Sequence, residues 1–340
     1  MPKILVTRKV PGQALEKLHE GGEVVISPFD RVLTADEIVQ MGQGAEAVMT
    51  LLTDRWTGEL MDALRPNLKI ISSYAVGFDN IDVKAATARG ILVTNTPSLE
   101  VDEAVAEFTW TLMLALSRRM CEGEDFAKKG AYHSWEPEMF LGRDVYGKTL
   151  GIVGLGRIGS VVARRARGFN MKVVYNCRNR DEKAEKELGV EYRERDQLLG
   201  ESDYITLHVP LTAETRHLIN AESLSKVRPT AYLINTARGA VIDEHALVEA
   251  LRAGKLAGVA LDVHENEPQM NPELMQMENA ILTPHIASAT YAVREKMAEQ
   301  AVDSILKTLK GEKPENLVNP EVWGKRRSQV DISSRTFSSK

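Results

Sequence analysis

Short apolar runs alternate with amphipathic segments along the first third of the chain. The runs at residues 4–6, 24–26, 47–50, 68–72 and 91–93 have the length and composition of strands buried on both faces. Between them, apolar residues recur at helical spacing in residues 12–19, 35–41, 58–64 and 83–89. This alternation predicts a small doubly wound parallel sheet.

A second and longer series of the same kind follows a long helix predicted at residues 101–120, in which Trp110 and Met113 are expected to pack in the core. Helices are predicted at residues 182–187 and 244–252, among others. A last helix at residues 292–310 is expected to pack on the first sheet, because its apolar face would otherwise have no partner. The predicted strands are residues 150–153, 172–175, 204–207, 232–235, 258–263 and 280–282.

The second series is organised around the junction of its first strand with the helix that follows. Gly154, Gly156 and Gly159 have the G-x-G-x-x-G spacing. In this spacing the glycines allow a tight turn, the close approach of a pyrophosphate, and close packing of the helix on the strand. The strand before them has no polar side chain, and helical periodicity begins at Ile158. This context favours a dinucleotide-binding loop over a chance match.

Composition narrows the class of protein. A chain of 340 residues is long enough for two domains, and 43% apolar with 27% charged residues is typical of a soluble globular protein. The net charge of -5 favours neither nucleic acid nor an anionic membrane surface as a partner. Cys121 and Cys177 cannot form a metal cluster by themselves, so we expect no metal and a reducing compartment. No apolar run reaches the length of a membrane span, and we expect a cytoplasmic protein.

Reactive side chains follow several strands of the second series at their carboxyl ends, where open α/β sheets bind ligands. They are Arg178 and Arg180, Arg238, Asp262 and His285. When a cofactor carries a hydride, the protein has to move one proton and hold the substrate. Histidine suits the proton because it changes charge near neutral pH, and the planar fork of arginine suits a carboxylate. These residues therefore predict a hydride-transfer site.

Position at a strand end does not by itself select the proton-transferring histidine. His208 and His264 also follow strands, so the choice of His285 depends on the sequence around it. The remaining histidines have no candidate partner nearby in the sequence and are expected to be structural, solvated or at the surface: His19, His133, His217 and His245.

Motifs in a fixed order along the chain resemble the D-isomer-specific 2-hydroxyacid dehydrogenases. They are residues 150–159 with the glycine loop, residues 235–239 (NTARG), residues 261–263 (LDV) followed by Glu267 and Pro268, and residues 283–290 (TPHIASAT). The resemblance covers residues 3–319 and is strongest to the glyoxylate and hydroxypyruvate reductases, from residues 74–82, 135–137 and 140–142.

We therefore expect an α/β protein of two doubly wound parallel-sheet domains. The resemblance implies a flavodoxin-like substrate-binding domain of residues 1–99 and 291–323, and a Rossmann NAD(P)-binding domain of residues 100–290. Residues 324–340 are polar, basic and serine-rich, and we expect them to be a disordered tail.

The resemblance also implies the catalytic residues. Arg238 would bind the carboxylate and the carbonyl of the substrate, and His285 would act as acid or base. Glu267 would orient His285, and its charge would favour the imidazolium that donates a proton during ketone reduction. Asp262 would hold the nicotinamide amide. Without the resemblance the sequence does not distinguish Glu267 from Glu265.

Further contacts follow from the same resemblance. The amides of Val76 and Gly77 would receive the substrate carboxylate, and Leu52 would line the pocket. Trp135 lies in an aromatic-rich loop or arm and would reach the site of the partner subunit in a homodimer. The cofactor contacts are assigned to Gly154, Leu155, Gly156, Arg157, Ile158, Gly159, Arg178, Asn179, Arg180, Val209, Pro210, Thr236, Ala237, Asp262 and Ala287.

The choice of cofactor is predicted from the end of the second Rossmann strand. NAD-specific enzymes place Asp or Glu on the ribose diol there, whereas this chain has Cys177, 23 residues after Gly154, followed by Arg178 and Arg180. Arginines would bind a 2′-phosphate that a carboxylate would repel. We therefore predict that NADP(H) is preferred, with NAD(H) as an accepted cofactor if the turn is only a solvated basic one. Arg157 is expected to add a third positive charge near the pyrophosphate.

Other functions on this scaffold stay open. D-lactate, phosphoglycerate and sugar-acid 2-keto reductases share the triad, and residues 135–137 are similar to those of phosphite dehydrogenases, although that activity would require a lysine at Val76. The alternative from another class is a dinucleotide-sensing corepressor that acts through protein contacts.

Two departures from the family pattern are Ala287, where glycine is common, and a turn at residues 98–102 that is one residue longer than usual.

Overall fold

The computed structural model of the protein describes residues 1–324. Apart from Gly324, the tail predicted at residues 324–340 lies outside the described residues. The contacts divide the chain into two units: Met1–Glu100 with the segment from Thr290 onward, and Val101–Ala289. No helix in the described part of the chain has both the length and the apolarity needed to cross a membrane.

The first unit contains a parallel sheet. Its strands are β1 (Lys3–Val6), β2 (Glu23–Ile26), β3 (Ala45–Thr50), β4 (Ile70–Ser73) and β5 (Leu92–Thr94). Their order in the sheet is β2-β1-β3-β4-β5, and every pair is parallel. This is the strand order of flavodoxin-like doubly wound folds, as predicted. β1, β3, β4 and β5 are mostly buried, whereas β2, expected to be buried on both faces, is an edge strand with partly exposed side chains.

The helices of this sheet begin at capping side chains. They are α1 (Ala35–Gly42), α2 (Gly58–Ala63) and α3 (Val83–Ala88). Thr34, Thr57 and Asp82 each accept a hydrogen bond from the backbone amide three residues later, which satisfies a free donor of the first turn. The helix predicted at residues 12–19 is instead a 3-10 helix at Ala14–Glu20. It starts later because Gly12 has φ +86°, which no right-handed helix contains.

The second unit contains a longer series of helices and strands. Its elements are α4 (Leu99–Ser117), α5 (Met120–Lys128), β6 (Thr149–Val153), α6 (Arg157–Ala166), β7 (Lys172–Asn176), α7 (Glu182–Leu188), β8 (Glu191–Tyr192), α8 (Arg195–Glu201), β9 (Tyr204–Leu207), α9 (Ala221–Leu224), β10 (Tyr232–Asn235), α10 (Glu244–Arg252), β11 (Gly258–Leu261) and β12 (Ala280–Leu282).

These strands form one seven-stranded parallel sheet in the order β12-β11-β10-β9-β6-β7-β8. Seen from β8, this is the Rossmann order, in which the chain runs outward from the centre first on one side and then on the other. The strand order reverses between β6 and β9, which are paired along Leu150 to Val153. Ligands of such sheets bind in the crevice at the carboxyl ends of the strands at this point.

The long helix predicted at residues 101–120 is wrong at both ends. α4 begins at Leu99, so most of the turn expected at residues 98–102 is helical. It ends at Ser117 because Arg119 adopts a left-handed conformation with φ 52°, and α5 then starts at Met120. Trp110 is buried, as predicted, and stacks on Phe169 with ring centroids 4.9 Å apart.

The last helix, α11 (Tyr291–Leu309), belongs to the first unit and packs on its sheet, as predicted. Ser72 Oγ at β4 donates a hydrogen bond of 3.0 Å to the carbonyl oxygen of Ala301. Tyr74 Oη donates one of 2.9 Å to the carbonyl oxygen of Arg294. The apolar face of α11 is therefore covered by strands that precede it by more than two hundred residues in the chain.

Candidate active site

The glycine loop between β6 and α6 has the backbone geometry that a bound pyrophosphate needs. Gly154 has φ +100°, and a β-carbon there would lie 2.6 Å from the carbonyl oxygen of His208. A β-carbon on Gly156 would meet no atom within 4 Å, so the backbone is open to a ligand. A β-carbon on Gly159 would lie 2.1 Å from the carbonyl oxygen of Gly154. Gly154 thus forms the tight turn, Gly156 leaves the backbone open to a pyrophosphate, and Gly159 allows α6 to pack closely on β6, as in dinucleotide-binding loops.

The amino end of α6 carries an ion pair that the sequence did not predict. The N-cap residue Gly156 has no side chain, which leaves the first backbone amides of α6 to an anion. Leu155 and Ile158 are partly buried against the core. Arg157 Nε lies 3.2 Å from Oδ2 of Asp102 in α4. Burial raises the pKa of Asp102, and the charge of Arg157 opposes this rise. Arg157 is thus paired with Asp102, and its contribution of a positive charge near the pyrophosphate stays a prediction.

The turn after β7 contains the residues predicted to select the cofactor. Cys177 directly follows β7 and donates a hydrogen bond of 2.6 Å from its sulfur to the carbonyl oxygen of Asn179, and burial raises the pKa of its thiol. Arg178 is exposed, and its side chain forms no hydrogen bond or ion pair with the described residues. Arg180, in contrast, is paired with Glu185 at 2.8 Å. The sequence predicts the same role for both arginines, but Arg180 is ion-paired with Glu185 and Arg178 is in no ion pair with the described residues.

His208, Val209 and Pro210 follow β9, beside the glycine loop. The amide of His208 donates a hydrogen bond of 2.8 Å to the carbonyl oxygen of Val153, which ends β6. Burial lowers the pKa of His208 to about 4, so its imidazole is neutral at pH 7. Its Nε2 is buried without a hydrogen-bond partner among residues 1–324. His208 is thus a structural neighbour of the loop, with no charge to offer a phosphate.

The segment after β10 holds Arg238 in place. Asn235 accepts a hydrogen bond of 3.0 Å from the amide of Ala237 and donates one of 2.9 Å to the carbonyl oxygen of Arg238. Thr236 Oγ1 lies 2.9 Å from Oγ1 of Thr109 in α4. The Arg238 guanidinium donates to the carbonyl oxygen of Ala237 at 2.7 Å. The backbone around Arg238 is therefore determined by several independent contacts.

Gly239 brings this segment against the one that leads to Glu267. A β-carbon at Gly239 would lie 1.9 Å from the backbone carbonyl carbon of His264 and 2.4 Å from the amide nitrogen of Glu265. Any side chain at this position would push the two backbones apart. Gly239, which follows Arg238 in the chain, is therefore in close contact with His264 and Glu265, and these precede Glu267 by three and two residues.

Glu267 and His285 form a hydrogen-bonded pair. His285 Nδ1 lies 2.9 Å from Glu267 Oε2, and the backbone amide of His264 donates a hydrogen bond of 2.9 Å to Glu267 Oε1. Burial has the largest effect on the pKa of Glu267 and raises it, but the hydrogen bonds and charges of His285 and His264 together lower the pKa below its ordinary value. The carboxylate is ionised at neutral pH. Nε2 of His285 forms no hydrogen bond with any of residues 1–324.

Asp262 organises the segment that carries His285. The fully buried carboxylate accepts hydrogen bonds from Oγ1 of Thr283 at 2.7 Å, from the amide of Ile286 at 2.8 Å and from the amide of Ala287 at 2.7 Å. The amide of His285 also donates to the carbonyl oxygen of Asp262 at 2.8 Å. His285 itself has φ 56°, a left-handed conformation that side chains rarely adopt. Contact of Asp262 with a nicotinamide amide stays a prediction.

A second pair of histidine and glutamate was missed by the sequence analysis. His217 Nε2 lies 2.5 Å from Glu265 Oε1, and Arg216 lies 3.3 Å from the same oxygen. The sequence shows no candidate partner near His217 because 48 residues separate it from Glu265 in the chain, and the pair is compatible with the structural role expected of His217. The structure thus distinguishes Glu265 from Glu267 by their histidine partners. No group of three or more His, Cys, Asp or Glu side chains in the described chain could hold a metal ion.

In the first unit, the predicted substrate contacts lie in turns at the carboxyl edge of the sheet. Leu52 follows β3, and Asn80 fixes this turn by donating 3.1 Å and 2.8 Å hydrogen bonds to the carbonyl oxygens of Leu51 and Asp54. Val76 and Gly77 follow β4. Asn95 donates a hydrogen bond of 2.7 Å to the carbonyl oxygen of Val76. Both turns are therefore tied to neighbouring parts of the same unit.

Trp135 lies in residues 129–148, which form no helix or strand. Its side chain is 77% exposed, and Tyr132, Leu141 and Tyr146 nearby in the chain are also exposed. Such a run of large exposed side chains is typical of a surface that another protein covers.

Three comparisons relate the chain to known proteins. A glyoxylate reductase of Thermococcus kodakarensis is 48% identical over 325 residues, which cover 94% of this chain and 97% of that protein. A crystal structure of a protein from Thermus thermophilus has a TM-score of 0.86 at 44% identity, with 93% of this chain and 99% of that chain covered. The crystal structure of an NADPH-dependent glyoxylate/hydroxypyruvate reductase from Sinorhizobium meliloti has a TM-score of 0.82 at 33% identity, with 94% of this chain and 99% of that chain covered.

A model of a protein family also matches the chain. The model described as the NAD binding domain of the D-isomer specific 2-hydroxyacid dehydrogenases matches residues 110–287, a range that contains the glycine loop, Arg238, Glu267 and His285. The match spans more than half of the chain, and the relative from Thermococcus kodakarensis covers most of the rest. The chain therefore belongs to the D-isomer specific 2-hydroxyacid dehydrogenases, enzymes that use a nicotinamide dinucleotide.

Proposed function

We propose that the protein is an NADPH-preferring reductase of small 2-oxo acids, glyoxylate and hydroxypyruvate in particular, and that its chiral products have the D configuration. The observation that carries this proposal is the hydrogen bond of 2.9 Å between Nδ1 of His285 and Oε2 of Glu267. Asp262 anchors the segment that contains His285. The substrates are suggested by the names of the Thermococcus kodakarensis and Sinorhizobium meliloti relatives.

His285 is the proton donor in this proposal. Its Nδ1 faces Glu267, so Nε2 is the nitrogen that can give a proton to the oxygen of the substrate carbonyl. A dihydronicotinamide cofactor held at the loop of Gly154, Gly156 and Gly159 would supply the hydride to the carbonyl carbon. Glu267 holds the imidazole in one orientation and stabilises its charged form before the proton leaves. The carbonyl becomes a hydroxyl, and His285 recovers its proton from solvent.

Arg238 binds the carboxylate and polarises the carbonyl of the substrate in the same proposal. Guanidinium groups match a carboxylate with two parallel hydrogen bonds, which fixes the orientation of the 2-oxo acid. The resemblance adds Leu52, Val76 and Gly77 as substrate contacts.

The preference for NADPH rests on the turn after β7. No carboxylate follows this strand at the position of Cys177, and Arg178 is exposed without an ion-pair partner among the described residues. A 2′-phosphate would find a cation there, and the strand-end position that carries the ribose-binding carboxylate in NAD-specific enzymes is Cys177. NADH lacks that phosphate, so it loses the interaction without meeting repulsion.

We also propose that the enzyme is a homodimer in which Trp135 reaches the site of the partner subunit. The support is the exposure of Trp135 and its neighbours in an irregular segment. Light scattering during gel filtration should give twice the mass of the chain, and Trp135→Ala should raise KM for the 2-oxo acid without changing that mass. A monomer would contradict this part of the proposal.

Steady-state kinetics test the proposed function directly. Glyoxylate, hydroxypyruvate and pyruvate are assayed with NADPH and with NADH, and we expect turnover of the first two with a higher kcat/KM for NADPH. An equal or higher kcat/KM for NADH would overturn the cofactor preference. Absence of turnover with every 2-oxo acid would instead favour a dinucleotide-sensing binding protein.

A further inference from the structure

The helix that follows the turn after β7 contains a carboxylate that the cofactor prediction did not consider. Glu185 lies in α7, one turn beyond its N-cap residue Asp181. Asp181 caps the helix by accepting hydrogen bonds from the amides of Lys183 at 3.1 Å and Ala184 at 2.9 Å. The capped first turn places Glu185 beside Arg180, which immediately precedes Asp181 in the chain.

Glu185 binds Arg180 through both of its oxygens. Nε of Arg180 lies 2.8 Å from Oε1 and Nη2 lies 2.9 Å from Oε2, so the guanidinium fork is occupied by one carboxylate. Arg180 also lies over the ring of Tyr192 at 6.0 Å. The hydrogen bonds from Arg180 and Tyr175 lower the pKa of Glu185 to about 2, so the pair is fully charged at neutral pH.

Tyr175 fixes this pair to the end of β7. Its buried hydroxyl donates a hydrogen bond of 2.8 Å to Oε1 of Glu185 and accepts one of 3.0 Å from the amide of Asp181. The carboxylate of Glu185 is therefore held by the sheet and not only by the flexible side chain of Arg180. Because Tyr175 holds Glu185 in place, a ligand that draws Arg180 away has to break both hydrogen bonds between Arg180 and Glu185.

Arg178 has no such partner. It precedes Arg180 by two residues in the same turn, and the described part of the chain provides it with no side-chain hydrogen bond or ion pair. The charge of Arg178 acts on Glu214 without an ion pair between them. A 2′-phosphate at the carboxyl end of β7 would therefore meet one guanidinium with no hydrogen-bonded carboxylate and one that is neutralised by Glu185.

We propose that Glu185 is a specificity-determining residue that limits the discrimination between NADPH and NADH by holding Arg180 away from the 2′-phosphate. This inference rests on the proposed binding of NADP(H) at the same turn. Glu185 acts through Arg180 and does not touch the cofactor, so it is a positioning residue. Its removal should increase the preference for a 2′-phosphate, whereas loss of a residue that contacts the phosphate would decrease it.

The test measures the 2′-phosphate alone. Adenosine 2′,5′-bisphosphate and 5′-AMP differ only in this group, and the ratio of their dissociation constants is obtained by calorimetry for the wild type and for Glu185→Gln. Glutamine keeps the acceptor for Tyr175 but loses the charge that holds Arg180. A partly exposed ion pair is worth only a modest free energy, so we expect the bisphosphate to bind about threefold to tenfold more tightly and 5′-AMP to bind unchanged.

Two further variants separate the mechanism from a general effect of charge. Glu187→Gln removes the same charge from the same helix, but Glu187 lies 3.7 Å from Lys183 and has no contact with Arg180. It should leave the ratio within about twofold of the wild type, since solvent screens an exposed charge. The double variant Arg180→Ala with Glu185→Gln should lose the gain of Glu185→Gln, because the gain requires the released guanidinium.

The outcomes are distinct from those of the proposed function. If Glu185→Gln leaves the bisphosphate affinity unchanged or weakens it, the inference is wrong even if the wild type prefers NADPH. If the wild type prefers NADH but Glu185→Gln tightens the bisphosphate, the cofactor preference is wrong and the role of Glu185 stands. If circular dichroism shows that Glu185→Gln does not fold, Glu185→Ala is measured instead. We expect the same tighter binding of the bisphosphate, and an unchanged or weaker affinity would again contradict the inference.

Discussion

Asp262 accepts a hydrogen bond of 2.7 Å from the backbone amide of Ala287, across the left-handed residue His285. Together with the bond from the amide of Ile286, it holds the two residues after His285 in a single conformation. A left-handed residue with a large side chain costs about 1–3 kcal/mol and persists only where its surroundings determine it. The carboxylate of Asp262 is what determines it here, and the direction of the imidazole toward Glu267 follows.

Replacing Asp262 by Asn should therefore affect both stability and turnover. The amide group would turn a donor toward backbone amides that are themselves donors, so at least one bond is lost and a buried amide stays unsatisfied. We expect a loss of about 2 kcal/mol in the free energy of unfolding. Because the imidazole is no longer held in place, kcat should fall about 100-fold. Thermal unfolding and steady-state kinetics measure the two effects.

Thr283→Val is the matched control for Asp262. It removes the hydroxyl that donates to Oδ1 of Asp262 at 2.7 Å but leaves both backbone amide bonds. It should cost about 1 kcal/mol of stability and change kcat less than threefold. A loss of kcat equal to that of Asp262→Asn would show that the backbone bonds are not what positions His285.

His285→Gln should suppress turnover without loosening the cofactor. Glutamine cannot supply a proton at neutral pH, and general acid catalysis contributes about 100-fold to 10,000-fold in rate. The dissociation constant of NADPH, measured by fluorescence titration, should change less than about threefold because the glycine loop is untouched. Turnover at the wild-type rate would remove His285 from the mechanism.

Glu267→Gln should lower turnover. The carboxylate accepts a hydrogen bond from Nδ1 of His285, whereas an amide can turn either its oxygen or its nitrogen toward the imidazole and holds it less firmly, so kcat should fall about tenfold to 100-fold. Glu265→Gln is the matched control, because Glu265 pairs with His217 and not with His285. A loss of kcat in Glu265→Gln as large as that in Glu267→Gln would contradict the assignment.

The same residue predicts how stability responds to acid. The folded state lowers the pKa of Glu267, so its stabilising contribution is present above the ordinary glutamate pKa, near 4.3. It is lost as the pH falls through the lower pKa of the folded state. The difference in urea midpoint between wild type and Glu267→Gln should therefore shrink below about pH 4, measured against Glu265→Gln.

The sequence predicted both parallel sheets, because the strands are continuous apolar runs and the helices have a clear period. It also identified the glycine loop, since each glycine there satisfies a local backbone requirement. It did not predict the pairing of Arg157 with Asp102 or of His217 with Glu265. These partners are far apart in the chain and meet only after the loops adopt conformations, such as the left-handed one of His217, that periodicity does not reveal.

Arg178→Ala should weaken NADPH far more than NADH. The exposed guanidinium forms no hydrogen bond or ion pair with the described residues, although its charge acts on Glu214, so its proposed interaction with a 2′-phosphate is lost with the side chain. We expect KM for NADPH to rise about tenfold to 30-fold and KM for NADH to change less than twofold. Arg195→Ala, at an exposed arginine that starts α8, is the control and should leave both values unchanged. Equal increases for the two cofactors with Arg178→Ala would contradict the prediction.

Alanine at two glycines of the loop should separate folding from cofactor binding. A methyl group on Gly156 meets no atom within 4 Å, so Gly156→Ala should fold with an unchanged melting temperature. It occupies the space through which a pyrophosphate approaches the backbone, and the dissociation constant of NADPH should rise at least about tenfold. A methyl group on Gly159 would lie 2.1 Å from the carbonyl oxygen of Gly154, so α6 must move away from β6. Gly159→Ala should therefore lose about 1–3 kcal/mol of stability. Normal NADPH binding by Gly156→Ala would show that the pyrophosphate does not lie against this loop.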